Sequence, residues 1–468
     1  MRRTPIVALA CVLSLGACTS KPKPQASTTP RATTTRSPHP TQAIPAGDWP
    51  AYHHDAARSG ISTDQGPLGK VRRAWESPHL DANVYAEPLI AAGHVIVATE
   101  ADSVYSLNPS TGAVEWRRSL GTAVNGGSLP CGNIDPTGVT GTPVIDIASS
   151  TIYVVAFLRD GPHHQLFALD LKSGRIRWQR RIDAPRLSPV VEQQRGALAF
   201  GNGRVYVTFG GLQGDCGPYK GAIVAAPASG RGALSSYVVP TTREGGMWQP
   251  GGPVIDSTGD VWVVTGNTAS TGSFDFGNAV IRLSPTLHVR DYFAPSSWRF
   301  LNTADADLGS VAPGLLANGR VFAAGKTGIA YLLNRASLGH VGGEVSAQHV
   351  CSRAFGTTAT QGSMVFLPCE NSLVGLRVST RSIHVVWRLD GKSGPPIVAA
   401  GSVWSLNSGG RLVALSPATG HERFRTSIGA PVSRFISMRT SSPSNAHSSS
   451  LFFGRCSLSS TMLTGRPR

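Results

Sequence analysis

The sequence predicts an all-β chain, and three observations carry that expectation. One hairpin is written repeatedly: VYSLNPSTGAVEWRRSL (Val104 to Leu120) returns as LFALDLKSGRIRWQRRI (Leu166 to Ile182) and as LVALSPATGHERFRTSI (Leu412 to Ile428). The chain of 468 residues holds 53 Gly and 33 Pro but only 15% charged residues, a composition that suits short strands and tight turns over long helices. Its apolar runs recur at a spacing of roughly 40 to 60 residues, the length of a four-stranded sheet unit.

Taken in order, the chain opens with MRRTPIVALACVLSLGAC, two arginines followed by an apolar run too short to span a bilayer. It reads as a signal peptide over residues 1–18, ending in a lipobox-like Leu15-Gly16-Ala17-Cys18 whose cysteine is the expected lipidation site. Residues 19–46, rich in Pro, Thr and Ser, cannot bury a core and read as a disordered tether. The folded part is expected over residues 47–437.

Seven modules follow there: Val84 to Leu120, Val139 to Ile182, Gly196 to Val239, Met247 to Ala294, Val311 to Val345, Ala354 to Asp390 and Pro395 to Ile428. A β-sandwich does not repeat one hairpin seven times, whereas a β-propeller does. The edges imply an eighth blade. Gly69 to Pro78 looks like a fourth strand without partners, and Ala430 to Ser437 like a first strand. Joined, they would close an eight-bladed propeller with both termini and remove its open edges, leaving the last blade incomplete. Residues 438–468 form a basic Ser-rich tail that reads as disordered, as though a shifted reading frame had replaced the end of the last blade.

The net charge of +16 comes from scattered arginines with no dense basic block and no nucleic-acid module. That excludes a nucleic-acid partner and favours attraction to an anionic membrane or cell-wall polymer. The expected protein is an extracytoplasmic monomer held on the cell membrane through Cys18, with an envelope protein as a candidate partner.

The X-L-x-A-L-x-x-x-T/S-G-x-x-x-W repeat resembles the pyrroloquinoline-quinone-type repeat of quinoprotein alcohol dehydrogenases and of barrel-assembly lipoproteins. The opening DWPAYHHDAARSG (Asp48 to Gly60), GMWQPGGPVID, VVTGN, DADLGS and GKTGIAYLLN are similar to segments of the same family. The resemblance implies that Trp75, Trp116, Trp178 and Trp387 dock between neighbouring blades, with Phe424 in the seventh module. It also implies a site for pyrroloquinoline quinone and calcium. Asn267 would be a metal-binding amide and Asp307 a metal ligand and catalytic base, with Asp305 close by. Lys326 would contact the quinone oxygens and Trp248 would stack on the ring, although its spacing to Asp256 departs from the pattern.

Two departures count against an enzyme. Cys216 stands where the family places a calcium-ligand glutamate, and a thiol or disulfide suits a hard cation poorly. The adjacent cysteines of many such dehydrogenases are absent, as is any C-x-x-C-H haem site. Each retained residue also has a plain structural role available, as turn former or ion-pair partner. The sequence therefore favours a non-catalytic ligand- or protein-binding propeller over its alternative, a quinone-dependent alcohol or sugar dehydrogenase.

Cys351 and Cys369 flank a hairpin turn at Thr360-Gln361-Gly362 and are expected to pair; Cys131 and Cys216 are the remaining pair. Cys456, in the tail, is left odd. If a shifted frame wrote the tail, another frame of its coding DNA should encode an alternating, blade-like peptide. Translating the other frames checks this, and a peptide without such alternation rejects it.

Overall fold

The computed structural model describes residues 43–63, 66–391, 393–407 and 409–429, together with two later strands, Ile436–Ser441 and Ser448–Phe453. The signal peptide, Cys18, most of the tether, Cys456 and residues 430–435 of the proposed closing strand lie outside them.

The chain is a β-propeller. Blade 1 is made of Leu89–Ala91, His94–Thr99, Ser103–Leu107 and Val114–Ser119, paired antiparallel in that order. The same plan repeats in blades 2 to 7, whose first strands begin at Val144, Ala199, Val254, Gly314, Ala359 and Ile397. The middle strands are apolar on both faces because each blade is covered by its neighbours. Thr151–Leu158 (TIYVVAFL) is buried over its first seven residues, and Val261–Val264 over all four.

Three expectations need correction. Seven blades are complete, not eight: the eighth sheet has three strands, with Lys70–Glu76 paired to Ile436–Ser441 and that strand to Ser448–Phe453. Of the strand expected over Ala430 to Ser437, the described Ile436 and Ser437 pair with Glu76 and Trp75, and strands occur within a tail read as disordered. The fifth module also runs past Val345. Its fourth strand is Ser346–His349, because the chain first detours to lay His340–Val341 parallel to Val289–Ala294 of blade 4.

The S/T-G…W signature has a contact-level cause. Asn108 caps its own turn by accepting from the N–H groups of Ser110 and Thr111, and Gly112 follows with φ +75°. Trp75 of the eighth sheet lies flat against Gly112 and donates Nε1–H to the Pro109 carbonyl (2.9 Å). The arrangement recurs at three further junctions. Trp116 lies on Gly174, Trp178 on Gly230 and Trp387 on Gly420, where a Cβ would fall 2.5–2.6 Å from the indole. A bulge in each outer strand sets the aromatic opposite a small residue: Ser106 faces Trp116, Ala168 Trp178, Gly375 Trp387 and Ala414 Phe424.

The segment Asp48 to Gly60 acts as a hub. The backbone N–H of Trp49 donates to Ile90 of blade 1, and the Pro50 carbonyl accepts from Ile145 of blade 2. The carbonyls of Ala56, Ser59 and Gly60 accept from Ile255, Thr360 and Val398 of blades 4, 6 and 7. Arg58, 3% exposed with φ +57°, donates to the Tyr52 carbonyl (3.0 Å) and to that of Leu198 at the entry to blade 3 (2.8 Å). The buried His53 and His54 also adopt positive φ, at 52° and 78°, and these left-handed conformations persist because the surrounding bonds over-determine them. Burial pulls the His53 imidazole down to about 3, so it is neutral at physiological pH.

Both expected disulfides are present. Cys131–Cys216 joins the loop between blades 1 and 2 to a loop of blade 3, and Cys351–Cys369 ties the approach to blade 6 to its second strand. Arg58→Ala should cost about 3 kcal/mol by unpairing two buried carbonyls. Urea unfolding checks it, and an unchanged midpoint would show that the hub bonds contribute nothing net.

Candidate functional site

Four loops of blades 4 and 5 bring the expected residues together. Asn267 follows Val261–Val264 and Lys326 follows Arg320–Ala324, matching exits from the second strands of neighbouring blades. Asp305 and Asp307 lie between the short helix Trp298–Thr303 and the turn Leu308–Ser310, and Trp248 sits on the approach to Val254–Ile255.

Asp307 is the pivot. Its side chain is 3% exposed; Oδ1 accepts from the Asn267 backbone N–H (2.6 Å) and Oδ2 meets Lys326 Nζ at 2.5 Å. Its carbonyl accepts from the Lys326 N–H (2.8 Å), so loop and ammonium hold each other. Lys326 Nζ also donates to Asp305 Oδ1 (2.8 Å). Burial opposes the charge on Lys326, but the carboxylates of Asp307 and Asp305 outweigh it and hold its pKa above the usual lysine value.

Trp248 is half-buried. Lys326 Nζ lies 5.7 Å and Arg195 Cζ 5.8 Å from its ring centroid, both within cation–π range. Gly266 leaves room for this assembly, since a Cβ there would strike Asp307 and approach Trp248 Nε1 to 3.2 Å.

The structure adds residues that the sequence reading missed. Glu244 Oε2 accepts from Asn267 Nδ2 (3.4 Å). Burial raises the Glu244 pKa, with Arg243 opposing and the carboxylates of Asp215, Asp307 and Asp305 adding to the rise. Arg195 also lies against Trp248, its charge opposed by burial and supported by Glu100. Glu192, 2% exposed, accepts from the Lys220 N–H through Oε1 (3.1 Å), while Oε2 has no hydrogen-bond partner. A signal for Arg195 and Glu192 existed: EQQR precedes GALAF, so charged and amide residues stand at the entry to an inner strand.

The calcium expectation fits this geometry poorly. Both Asp307 oxygens are engaged by Asn267 and Lys326, and Cys216 is bonded to Cys131. Its neighbour Asp215 accepts from Tyr219 Oη (2.7 Å). Among the described residues, no cluster of three His, Cys, Asp or Glu is disposed to hold a metal.

Fold and repeat together define a β-propeller. Residues 69–291, just under half of the chain, match the family described as outer membrane protein assembly factor BamB. The fold is similar to that of quinohemoprotein alcohol dehydrogenase ADHIIG from Pseudomonas putida HK5, with a TM-score of 0.64 and 14% identity over 84% of this chain and 76% of that one. It is equally similar to quinohemoprotein alcohol dehydrogenase from Comamonas testosteroni, with a TM-score of 0.64 and 17% identity over 84% and 77% of the two chains. BamB from Moraxella catarrhalis aligns with a TM-score of 0.53 and 12% identity over 82% and 98%. At such identities the likeness shows the fold alone. No curated protein matches the chain by sequence. Among the described residues, no helix is long and apolar enough to cross a membrane.

Burial pushes the Glu192 carboxyl up to about 8, from an ordinary 4.5. The folded chain therefore keeps a proton across that window which the unfolded chain has lost, so stability falls as pH rises from about 4.5 to 8. Glu192→Gln keeps an acceptor for Lys220 without the charge. It should be more stable than the parent at pH 8, by on the order of 4 kcal/mol, with the gap closing near pH 4.5. Melting curves across pH check this; a gap independent of pH would refute it.

Proposed function

We propose that the chain is an extracytoplasmic, membrane-anchored binding propeller, non-catalytic, whose axial face takes a ligand or an envelope protein. The observation that carries this reading is the engagement of Asp307. A general base must be free to accept a proton, and a metal ligand must leave an oxygen open. Here one oxygen is held by a backbone N–H and the other by an ammonium. Cys216, where a glutamate ligand would be needed, is consumed by a disulfide.

What remains is a recognition surface: a half-buried indole flanked by two cations and bordered by Glu244, Asp305 and Asp307. Such a surface suits a flat conjugated ligand whose carbonyl or carboxylate groups meet Lys326 and Arg195. The lipobox-like leader and the match of residues 69–291 to an outer-membrane assembly family support an envelope location. The second reading, a quinone-dependent dehydrogenase, is supported by the joint placement of Trp248, Asn267, Asp307 and Lys326 around one point. It requires Asp307 to exchange Lys326 for a metal.

Titration of the purified chain with pyrroloquinoline quinone, with and without calcium, separates them by tryptophan quenching. The binding reading expects saturation that calcium does not change and that Lys326→Ala weakens about tenfold. Calcium-dependent saturation with alcohol-driven dye reduction would establish the dehydrogenase. No binding under either condition would remove the small-ligand site and leave a protein partner.

A further inference from the structure

The outer antiparallel strands of the blades divide into two unlike halves. In blade 7, the eighth sheet, blade 1 and blade 2 they are Glu422–Ser427, Lys70–Glu76, Val114–Ser119 and Ile176–Arg181. These four carry ten Lys or Arg against three Glu. In blades 3 to 6 the corresponding strands are Ser235–Val238, Val289–Ala294, Ser346–His349 and Ile383–Asp390, with two Arg against two Asp.

The four basic strands are neighbours. Val71 packs against the cluster of Trp404 and Phe424 in blade 7. Trp75 lies on Gly112 of blade 1, and Trp116 on Gly174 of blade 2. The charge thus forms one continuous arc of the outer wall.

Three of its arginines share carboxylates outside these strands: Arg117 with Asp81, Arg177 with Asp170 and Arg181 with Asp183. Even after that neutralisation, four positive charges remain in excess. Arg72, Arg73, Arg181 and Arg425 are exposed along it. Strands this basic at a sheet edge also repel pairing with a further strand.

We propose that this arc is a docking surface for an anionic phospholipid bilayer. The charges are dispersed over four blades and do not converge on a pocket, so no single compact anion can meet them together. A bilayer can, because its anionic headgroups diffuse laterally and gather beneath separated cations. Docked by the arc, the propeller would stand edge-on to the membrane with its axis roughly parallel to the surface, leaving the ends of the ring clear. The surface is separate from the Trp248–Lys326 site and does not depend on what binds there.

The test is co-sedimentation of the full chain with vesicles of phosphatidylcholine alone or mixed with phosphatidylglycerol. All samples carry Cys18→Ser, which removes the expected acylation site. The chain should bind the mixed vesicles and not the neutral ones, and release as salt is raised. Neutralising Arg72, Arg73, Arg181 and Arg425 to Gln should weaken binding by more than about tenfold. Neutralising Arg290, Arg299, Arg377 and Arg381, on the other half, should change it less than about twofold. Equal losses from the two sets would overturn the proposal, as would failure of the parent to bind mixed vesicles, even where it binds a soluble polyanion. Melting temperatures of both variants identify any loss that comes from misfolding.

Discussion

Four junctions of the ring rest on one contact, an indole laid across a glycine. Each tryptophan at the end of the repeat belongs to one blade, and the glycine it covers belongs to the turn of the next. The turn needs glycine twice over, once for its positive φ and once because any Cβ would occupy the space of the ring. A sheet blade alone leaves two apolar faces in water, and a buried tryptophan contributes on the order of 2–3 kcal/mol to joining it to its neighbour. The repeat in the sequence is therefore the written form of an inter-blade contact, in which the two halves of every motif serve different interfaces.

This explains why the fold was legible and where legibility stopped. Blades 1 and 2 carry the full motif, blade 6 keeps its tryptophan and blade 7 its S/T-G turn, and their limits were read from Trp116, Trp178, Trp387 and Phe424. Blade 5 carries no such aromatic, and its last strand was misplaced because the detour through His340–Val341 obeys a local glycine-rich turn with no repeat signal. The eighth sheet was legible as an edge that needed partners, but the tail has no alternation from which to read strand order. The two disulfides were legible because few cysteines remained to choose among.

At the site, residue types were legible and their mutual engagement was not. Sequence placed Asn267, Asp307, Lys326 and Trp248 on blades 4 and 5, and the structure brings them within reach of one another. That Asp307 spends both oxygens on Asn267 and Lys326 depends on side-chain positions from three separate loops, which no spacing encodes. Arg195 and Glu244 come from blades whose motifs are about turns and strands, so nothing marked them as site residues beyond charge at the mouth of a buried strand. Electrostatics tie the group into a unit: the carboxylates hold Lys326 protonated, and Lys326 permits Asp305 and Asp307 to stand close together.

The hub at Asp48 to Gly60 changes how the ring can fail. In a ring closed only at its seam, opening one blade-to-blade contact frees the rest to splay. Here backbone and arginine bonds run from a central segment to blades 1, 2, 3, 4, 6 and 7. The architecture is that of a spoked wheel: load at any rim joint is shared through the centre. Such a wheel tolerates a short eighth sheet, and the rim beside the seam becomes the part of the sequence freest to vary.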